Sequence, residues 1–249
     1  ADSDVLLWCL GIASANNFDV ALSEPDVSPL SLQGPKAAKV MEKISGSWIK
    51  DLKFFYFKQA DIIGIPVLVA RSGWSGEIGY EIYLMDGSKG NDLWEHIMKV
   101  GKEFNIAPAA PNQISRIENG MLSYGSDMTL EETPYDINMG KFVHLEKNAD
   151  FLAKSALTKI FNEGALKELV GIEIAGNVQS NYDPDHKSIY VNEDIVGKIT
   201  SSVFSPRLER NIAIGFVKKK NNKELGYYIK NKNEKINIKI SNLPFIRNK

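Results

Sequence analysis

The residues best suited to chemistry stand between positions 48 and 118. Gly79-Tyr80-Glu81-Ile82-Tyr83-Leu84 alternates as a strand does, so Tyr80, Ile82 and Leu84 share one face and Glu81 and Tyr83 the other. Two readings follow. In one, Glu81 stands in water on a half-exposed strand, the ordinary place for an acid. In the other, Glu81 and Tyr83 line a cleft, and the carboxylate accepts two parallel N–H bonds from a flat heterocycle. Aromatic residues crowd the same stretch: Trp48, Phe54, Phe55, Tyr56, Phe57, Trp74, Tyr80 and Tyr83. Phe55 and Phe57 read as core. Trp48 and Trp74 lie among glycine and serine, so each must stack on something, protein or ligand. An aromatic wall binds flat rings and also onium cations, the latter by about 0.5–2 kcal/mol. Arg116-Ile117-Glu118 falls on a helical pattern and reads most simply as a solvated or ion-paired face.

Other chemistries find little support. His96, His144 and His186 are far apart, and neither HxxxH nor CxxC spacing occurs, so no metal site is expected. Asp183-Pro184-Asp185-His186 is ligand-like but is equally a turn. There is no GxSxG or phosphate-loop motif. Thirty basic and 31 acidic residues leave a net charge of −1, which argues for neither nucleic acid nor membrane as partner. The basic run Lys218-Lys219-Lys220 reads as part of a solvated hairpin. The single cysteine, Cys9, rules out an internal disulfide and fits a reducing, cytoplasmic compartment. No apolar run has the length of a membrane span.

These residues need a scaffold. The chain has 249 residues, 43% of them apolar, enough for one large domain or two ordinary ones. Asp2 or Ser3 caps a helix carrying Leu6, Leu7, Trp8, Cys9 and Ile12. Short strands are expected at 18–22 and 28–33. Pro35 opens a helix with Ala37, Val40, Met41 and Ile44 at helical spacing. An aromatic strand at 53–59 and a buried strand at 65–70 follow. The glycine-punctuated loop 71–78 feeds the strand of Glu81. A helix then carries Leu93, Trp94, Ile97, Met98 and Val100, and another after Pro111 carries Ile114, Ile117 and Met121. One more helix is expected at 154–161. Beyond Lys167, short runs at 169–174, 195–200, 212–217 and 236–240 predict a small β barrel or sandwich. A domain boundary is placed near Thr133.

Several segments also carry a resemblance. Asp26-Val27-Ser28-Pro29-Leu30-Ser31-Leu32-Gln33-Gly34-Pro35 contains an LQGP motif. Residues 71–81 resemble the signature R-[ST]-G-[YW]-[ST]-G-E-x-G-[FY]-E, and residues 116–125 resemble R-[LI]-E-x-G-[ML]-x-x-Y-G. Thr133-Pro134 and Val203-Phe204-Ser205-Pro206 match two further markers. In this order they resemble the glycine-cleavage T-protein (aminomethyltransferase) folate-binding family. The resemblance implies an α+β fold: a folate-binding T-protein-like α/β domain followed by a small C-terminal β-barrel domain. Residues 1–24 would be the tail of an incomplete N-terminal or middle part, 25–133 the folate-binding domain and 134–249 the barrel. It also implies that roughly the first third of a family chain lies outside this sequence.

The resemblance further implies tetrahydrofolate as a methyl-accepting cosubstrate, without a metal. Glu81 would grip the pterin with Trp74 stacking beside it, and Tyr83 would hydrogen-bond substrate or folate. Phe54, Phe55 and Tyr56 would wall the folate, and Trp48 would face a sulfonium. No residue is assigned as the catalyst itself. T-proteins tend to carry Ala-Arg-Asp where this chain reads Pro111-Asn112-Gln113, so Arg116 is the stand-in for the folate-tail arginine. Trp74, in a place usually held by tyrosine, and the stretches 1–9, 26–29 and 79–84 look like the demethylase branch. That branch implies transfer of a methyl from dimethylsulfoniopropionate to N5 of tetrahydrofolate. The products would be 5-methyl-tetrahydrofolate and 3-methylmercaptopropionate. The alternatives are aminomethyl transfer from a lipoyl carrier protein, or folate binding without catalysis. The Lys-Gly-Cys-Tyr hallmark of the iron–sulfur assembly branch is missing, since Cys9 lies in Trp-Cys-Leu. The expected partner is a small sulfonium molecule, with a homodimer as the candidate assembly.

Overall fold

The computed structural model describes residues 2–176, 188–219, 226–231 and 234–246. The chain divides into two compact units. The first comprises residues 1–73 and 77–109, the second 74–76 and 110–249.

The first unit opens with α1 (Asp2–Ala15), an almost wholly apolar helix on which Val5, Leu7 and Trp8 are exposed. The expected strand at 18–22 does not form. That segment pairs with no strand, and the Val20 N–H turns back onto the Phe18 carbonyl, so alternation alone did not make a strand. Four strands build one antiparallel sheet: β1 (Ser28–Gln33), β2 (Phe57–Ile62), β3 (Ile65–Ala70) and β4 (Gly79–Leu84), in the order β1-β4-β3-β2. β1, β3 and the feed into β4 form where the pattern predicted them.

The aromatic strand expected at 53–59 is corrected to 57–62. Phe55 takes a left-handed backbone with φ 61°, and the Tyr56 N–H closes a turn onto the Lys53 carbonyl. A left-handed aromatic residue cannot continue a strand, so pairing with β3 starts only at Phe57.

One face of the sheet is covered by α2 (Ala37–Ser45) and α3 (Gly90–Gly101). Val40, Met41 and Ile44 of α2 and Leu93 and Ile97 of α3 meet Val67, Val69, Tyr80, Ile82 and Leu84 from the strands. Helical spacing on one side and period-two alternation on the other make these faces match. The opposite face carries Glu81 and Tyr83.

The second unit contains α4 (Gln113–Glu118), α5 (Lys154–Glu163) and a closed barrel. Asn112 rather than Pro111 starts α4, its side-chain oxygen accepting from the Ile114 and Ser115 N–H groups. Gly120, at φ 64°, turns the chain before Met121 can join the helix. The barrel strands are β5 (Lys167–Ile174), β6 (Ser188–Val191), β7 (Asp194–Ser205), β8 (Arg210–Lys218), β9 (Tyr228–Asn231) and β10 (Glu234–Ser241). They close in the order β10-β5-β8-β7-β6-β9, so the barrel alternative holds over the sandwich.

β8 is buried on both faces. Ala213 and Val217 join one core with Val170, Ile172 and Ile199, while Ile212, Ile214 and Phe216 pack with Ile117 of α4 in another. The segment Asp183-Pro184-Asp185-His186 and Lys220 of the basic run lie outside the described residues, while Lys218 ends β8.

Candidate functional site

The register of the first sheet fixes which side chains share its open face. Directly opposed residues in antiparallel strands point the same way. Ser31, Glu81, Ala70 and Phe57 therefore form one row across β1, β4, β3 and β2. Pro29, Tyr83, Leu68 and Gln59 form the next. Past this second row the face continues into a cavity of about 550 Å³ lined by Gln59, Asp61, Pro66, Leu68 and Met85.

Glu81 is half-buried. Its Oε2 accepts a short hydrogen bond from the Ser72 hydroxyl and a long one, 3.3 Å, from the Tyr83 hydroxyl. Among the described residues no donor meets Oε1, and no cation pairs with the carboxylate. Burial raises the Tyr83 pKa, and the neighbouring Glu81 charge and hydrogen bond raise it further. Tyr83 thus stays a hydroxyl donor at neutral pH. Of the two sequence readings, the strand does place Glu81 and Tyr83 together on a shared, partly open face.

The loop before β4 is shaped by the LQGP glutamine. The Gln33 amide nitrogen donates to Ser31 Oγ at 2.9 Å and to the Ser72 carbonyl at 3.3 Å. A Cβ at Gly73 or at Gly79 would fall 2.1 Å from the Gln33 amide oxygen. The Gln33 amide thus occupies the space that a side chain at either signature glycine would take. This contact holds Ser72, and through it the Glu81 carboxylate.

Trp48 lies on the other side of the sheet. It sits in the 3-10 helix Ser47–Asp51, packs against the helix-covered core and donates from Nε1 to the Ser45 carbonyl at 2.5 Å. Lys58, which shares the covered face with Val69, places its ammonium 4.7 Å from the Trp48 ring centroid. Phe54 and Tyr56 are exposed in the turn before β2. Phe55 and Phe57 were expected in the core and are 78% and 65% exposed. The left-handed turn throws Phe55 outward, and strand alternation puts Phe57 on the open face beside Ala70.

In the second unit, Trp74 rests over Arg116, with 5.9 Å between guanidinium carbon and ring centroid. Arg116 is not solvated but 1% exposed. Its Nε donates to Gln113 Oε1 at 2.6 Å, and one terminal nitrogen donates to the Met121 carbonyl at 2.9 Å and to Asp127. The other donates to Ser201 Oγ at 2.9 Å. Asp127 also accepts from the Ser123 N–H and the Thr200 hydroxyl. Glu118 is buried too, accepting from Ser205. A Cβ at Gly76 would collide with the Asn119 amide at 2.1 Å, so this glycine lets the Trp74 loop seat against α4.

Glu81, Tyr83, Trp48, Phe54 and Phe55 thus belong to the first unit, and Trp74 and Arg116 to the second. Sequence reasoning missed Ser72, Ala70, Lys58 and Asp127. Ser72 had a signal in the signature itself, and Ala70 in its pairing opposite Glu81. Among the described residues, no cluster of three or more His, Cys, Asp or Glu could hold a metal. Likewise, no helix there is long and apolar enough to cross a membrane.

A helix-backed antiparallel sheet followed by a closed barrel is a two-part fold that a solved structure shares. The crystal structure of glycine cleavage system aminomethyltransferase T from Bartonella henselae matches with a TM-score of 0.81 at 24% identity. The match covers 95% of this chain and 65% of that one, and it speaks to the fold. Residues 2–147 match the GCVT N-terminal domain, and residues 167–246 the glycine cleavage T-protein C-terminal barrel domain. The chain belongs to the glycine-cleavage T-protein family, as its signatures led one to expect.

Among its relatives, the dimethylsulfoniopropionate demethylase DmdA of Ruegeria pomeroyi is 39% identical over 87% of this chain. Aminomethyltransferases of Caldanaerobacter subterraneus and Alkaliphilus metalliredigens are 32% and 34% identical over 86% and 84% of it. The chain spans 58%, 56% and 57% of the length of these three curated relatives.

Proposed function

We propose that this chain serves a tetrahydrofolate-dependent one-carbon transferase, and that the transfer is demethylation of dimethylsulfoniopropionate. The single observation carrying the folate part is Glu81. It is a half-buried carboxylate with one oxygen steadied by two hydroxyls and the other without a donor among the described residues. Such a group suits a flat heterocycle presenting an edge of N–H donors, because charge-assisted bonds fix both affinity and orientation. Tetrahydrofolate fits this acceptor edge and, when bound, supplies the N5 nucleophile.

The demethylase reading is supported by the 39% identity to the Ruegeria enzyme and by Trp74 in the signature. In this reaction the sulfonium S–CH3 bond breaks with its electron pair going to sulfur, and the methyl leaves as part of a new N–CH3 bond. The N5 proton passes to water. The sulfur departs neutral, so the protein's work is positioning, an effect worth up to about 7–11 kcal/mol. Ser72 holds Glu81, and Tyr83 gives a protonated hydroxyl beside it that can turn to the ligand. Trp74, 42% exposed, keeps an aromatic surface for a flat ring. Trp48, on the helix-covered side of the sheet with the Lys58 ammonium over its ring, takes no part in this proposal. Arg116 is 1% exposed and gives four hydrogen bonds to protein acceptors, so in this proposal it supports Trp74 rather than the folate tail. The second reading, aminomethyl transfer from a lipoyl carrier protein, draws on the similarity to the two aminomethyltransferases.

The test is to incubate the chain with tetrahydrofolate and dimethylsulfoniopropionate, alone and joined to the first third of a family chain. The readout is 5-methyl-tetrahydrofolate by mass spectrometry. Stoichiometric product is the expected outcome. Folate binding without product in either form would remove demethylation and turn attention to the lipoyl carrier.

A further inference from the structure

The row Ser31–Glu81–Ala70–Phe57 has an uneven profile. Glu81 rises on β4, Phe57 rises on β2, and between them β3 offers only the methyl group of Ala70. Adjacent strands are about 4.8 Å apart, so the walls stand about 10 Å from one another. That leaves room for one flat ring in van der Waals contact, at about 3.5–4 Å, with what lies beneath and beside it. In the next row Leu68 fills the corresponding position between Tyr83 and Gln59, which closes the trough at that end. On the other side of Glu81 lies Ser31, whose hydroxyl already accepts from Gln33, on the edge strand β1.

We propose that Ala70 is the floor and Phe57 the far wall of the heterocycle site. The ring lies on the β3 side of Glu81, its N–H edge on Oε1 and its apolar side on Phe57. This rests on the reading of Glu81 as the pterin acceptor and adds where the ring lies and what limits its size. Three observations carry it. Phe57 is 65% exposed although it belongs to a regular strand, so its ring is available as a wall. The unpartnered oxygen of Glu81 coexists with an Oε2 already loaded by Ser72 and Tyr83. Ala70 is the smallest side chain of the four inner-strand positions in these two rows, Glu81, Ala70, Tyr83 and Leu68. A larger residue at 70 fills the trough without entering the helix-covered core, because it points away from it. Phe57 is thus a specificity-determining residue, and Ala70 a size gate.

The experiment measures binding of 5-formyltetrahydrofolate to the whole chain by calorimetry, with thermal unfolding as the fold control. Ala70→Leu should weaken binding at least tenfold with an unfolding temperature close to that of the wild type. Phe57→Ala should weaken it several-fold, and Phe57→Tyr should restore it. Ser31→Thr, on the other side of Glu81, keeps the hydroxyl that Gln33 donates to and should change it less than twofold. The proposal is overturned if Ala70→Leu and Phe57→Ala bind as the wild type does while Glu81→Gln is impaired; the Glu81 reading then survives alone. It is also overturned if Ser31→Thr blocks binding and Ala70→Leu does not, which moves the ring to β1. A wild-type chain that fails to bind the probe overturns both readings together. Should Ala70→Leu unfold, the Phe57→Ala and Phe57→Tyr pair decides, since that side chain is exposed.

Discussion

Glu81 in the first unit and Asp127 in the second are both carboxylates held close to a signature segment, yet their surroundings differ in kind. Asp127 is fully buried, and its oxygens take a guanidinium, a backbone N–H and a hydroxyl. Glu81 is half-buried, takes two hydroxyls on one oxygen, and has no donor on the other among the described residues. A buried charge left unpaired is costly, so the Asp127 network must be complete for the unit to fold. A half-exposed carboxylate can keep an unsatisfied oxygen because water serves it until a ligand does. The two signatures thus divide the work. The arginine–glutamate helix builds the frame, and the glycine-rich loop and strand carry the half-buried carboxylate that the proposed function assigns to recognition.

The contrast is broken most forcefully at Arg116. Arg116→Met should cost about 3–5 kcal/mol in denaturant unfolding, because Asp127 is left buried and unpaired. Adding Asp127→Leu should return much of that loss; a double mutant as unstable as the single one would mean the ion pair is not the cause. Glu118→Gln comes next. It weakens the buried bond from Ser205 and should cost about 1–3 kcal/mol by the same measurement.

Ser72→Ala sharpens the other side of the comparison. It removes one hydroxyl from Glu81 and should change stability by about 1 kcal/mol or less, while loosening the carboxylate and weakening folate modestly. A stability loss as large as that at Arg116 would place Glu81 in the frame as well.

The smallest effect lies on the barrel surface. Lys230 and Lys235 hydrogen-bond Glu193 and hold its pKa down at about 2. Since this folded value lies below the ordinary one of 4.5, the stabilisation is present above about pH 4.5 and is lost as pH falls toward 2. Thermal unfolding of Glu193→Gln should fall slightly below the wild type at pH 6 and converge with it near pH 2. The exposed setting keeps the difference small.

The same contrast explains what could be read in advance. The sheet strands β1 and β3, the helix α2 and the Glu81–Tyr83 face follow from local periodicity, which needs only near neighbours in sequence. Phe57 could not be placed so simply. Its exposure depends on where β2 begins, and that is decided by the left-handed Phe55 and by pairing to β3. Arg116 read as a solvated or ion-paired face, and the ion pair is what forms; its burial was hidden because the partners lie beyond the helix, Asp127 11 residues on and Ser201 85 residues along the chain. The family resemblance offered Trp48 to a sulfonium, and a cation does sit over it, but that cation is Lys58 from strand β2. The family was legible because its signatures are long. The partners that decide each residue's role were not, because hydrogen bonds across the fold leave no period in the sequence.

The central claim is that Glu81 is an acceptor reserved for a ligand. The most direct test is the affinity of wild type and Glu81→Gln for 5-formyltetrahydrofolate, with unfolding temperature measured on the same samples. Replacing one carboxylate oxygen by an amide removes a charge-assisted bond of about 1.5–3 kcal/mol, so affinity should fall about tenfold to a hundredfold. The unfolding temperature should stay within a degree or two, roughly what a few tenths of a kcal/mol produce. Equal affinity in the two proteins, or a variant that loses stability instead of binding, would contradict the account.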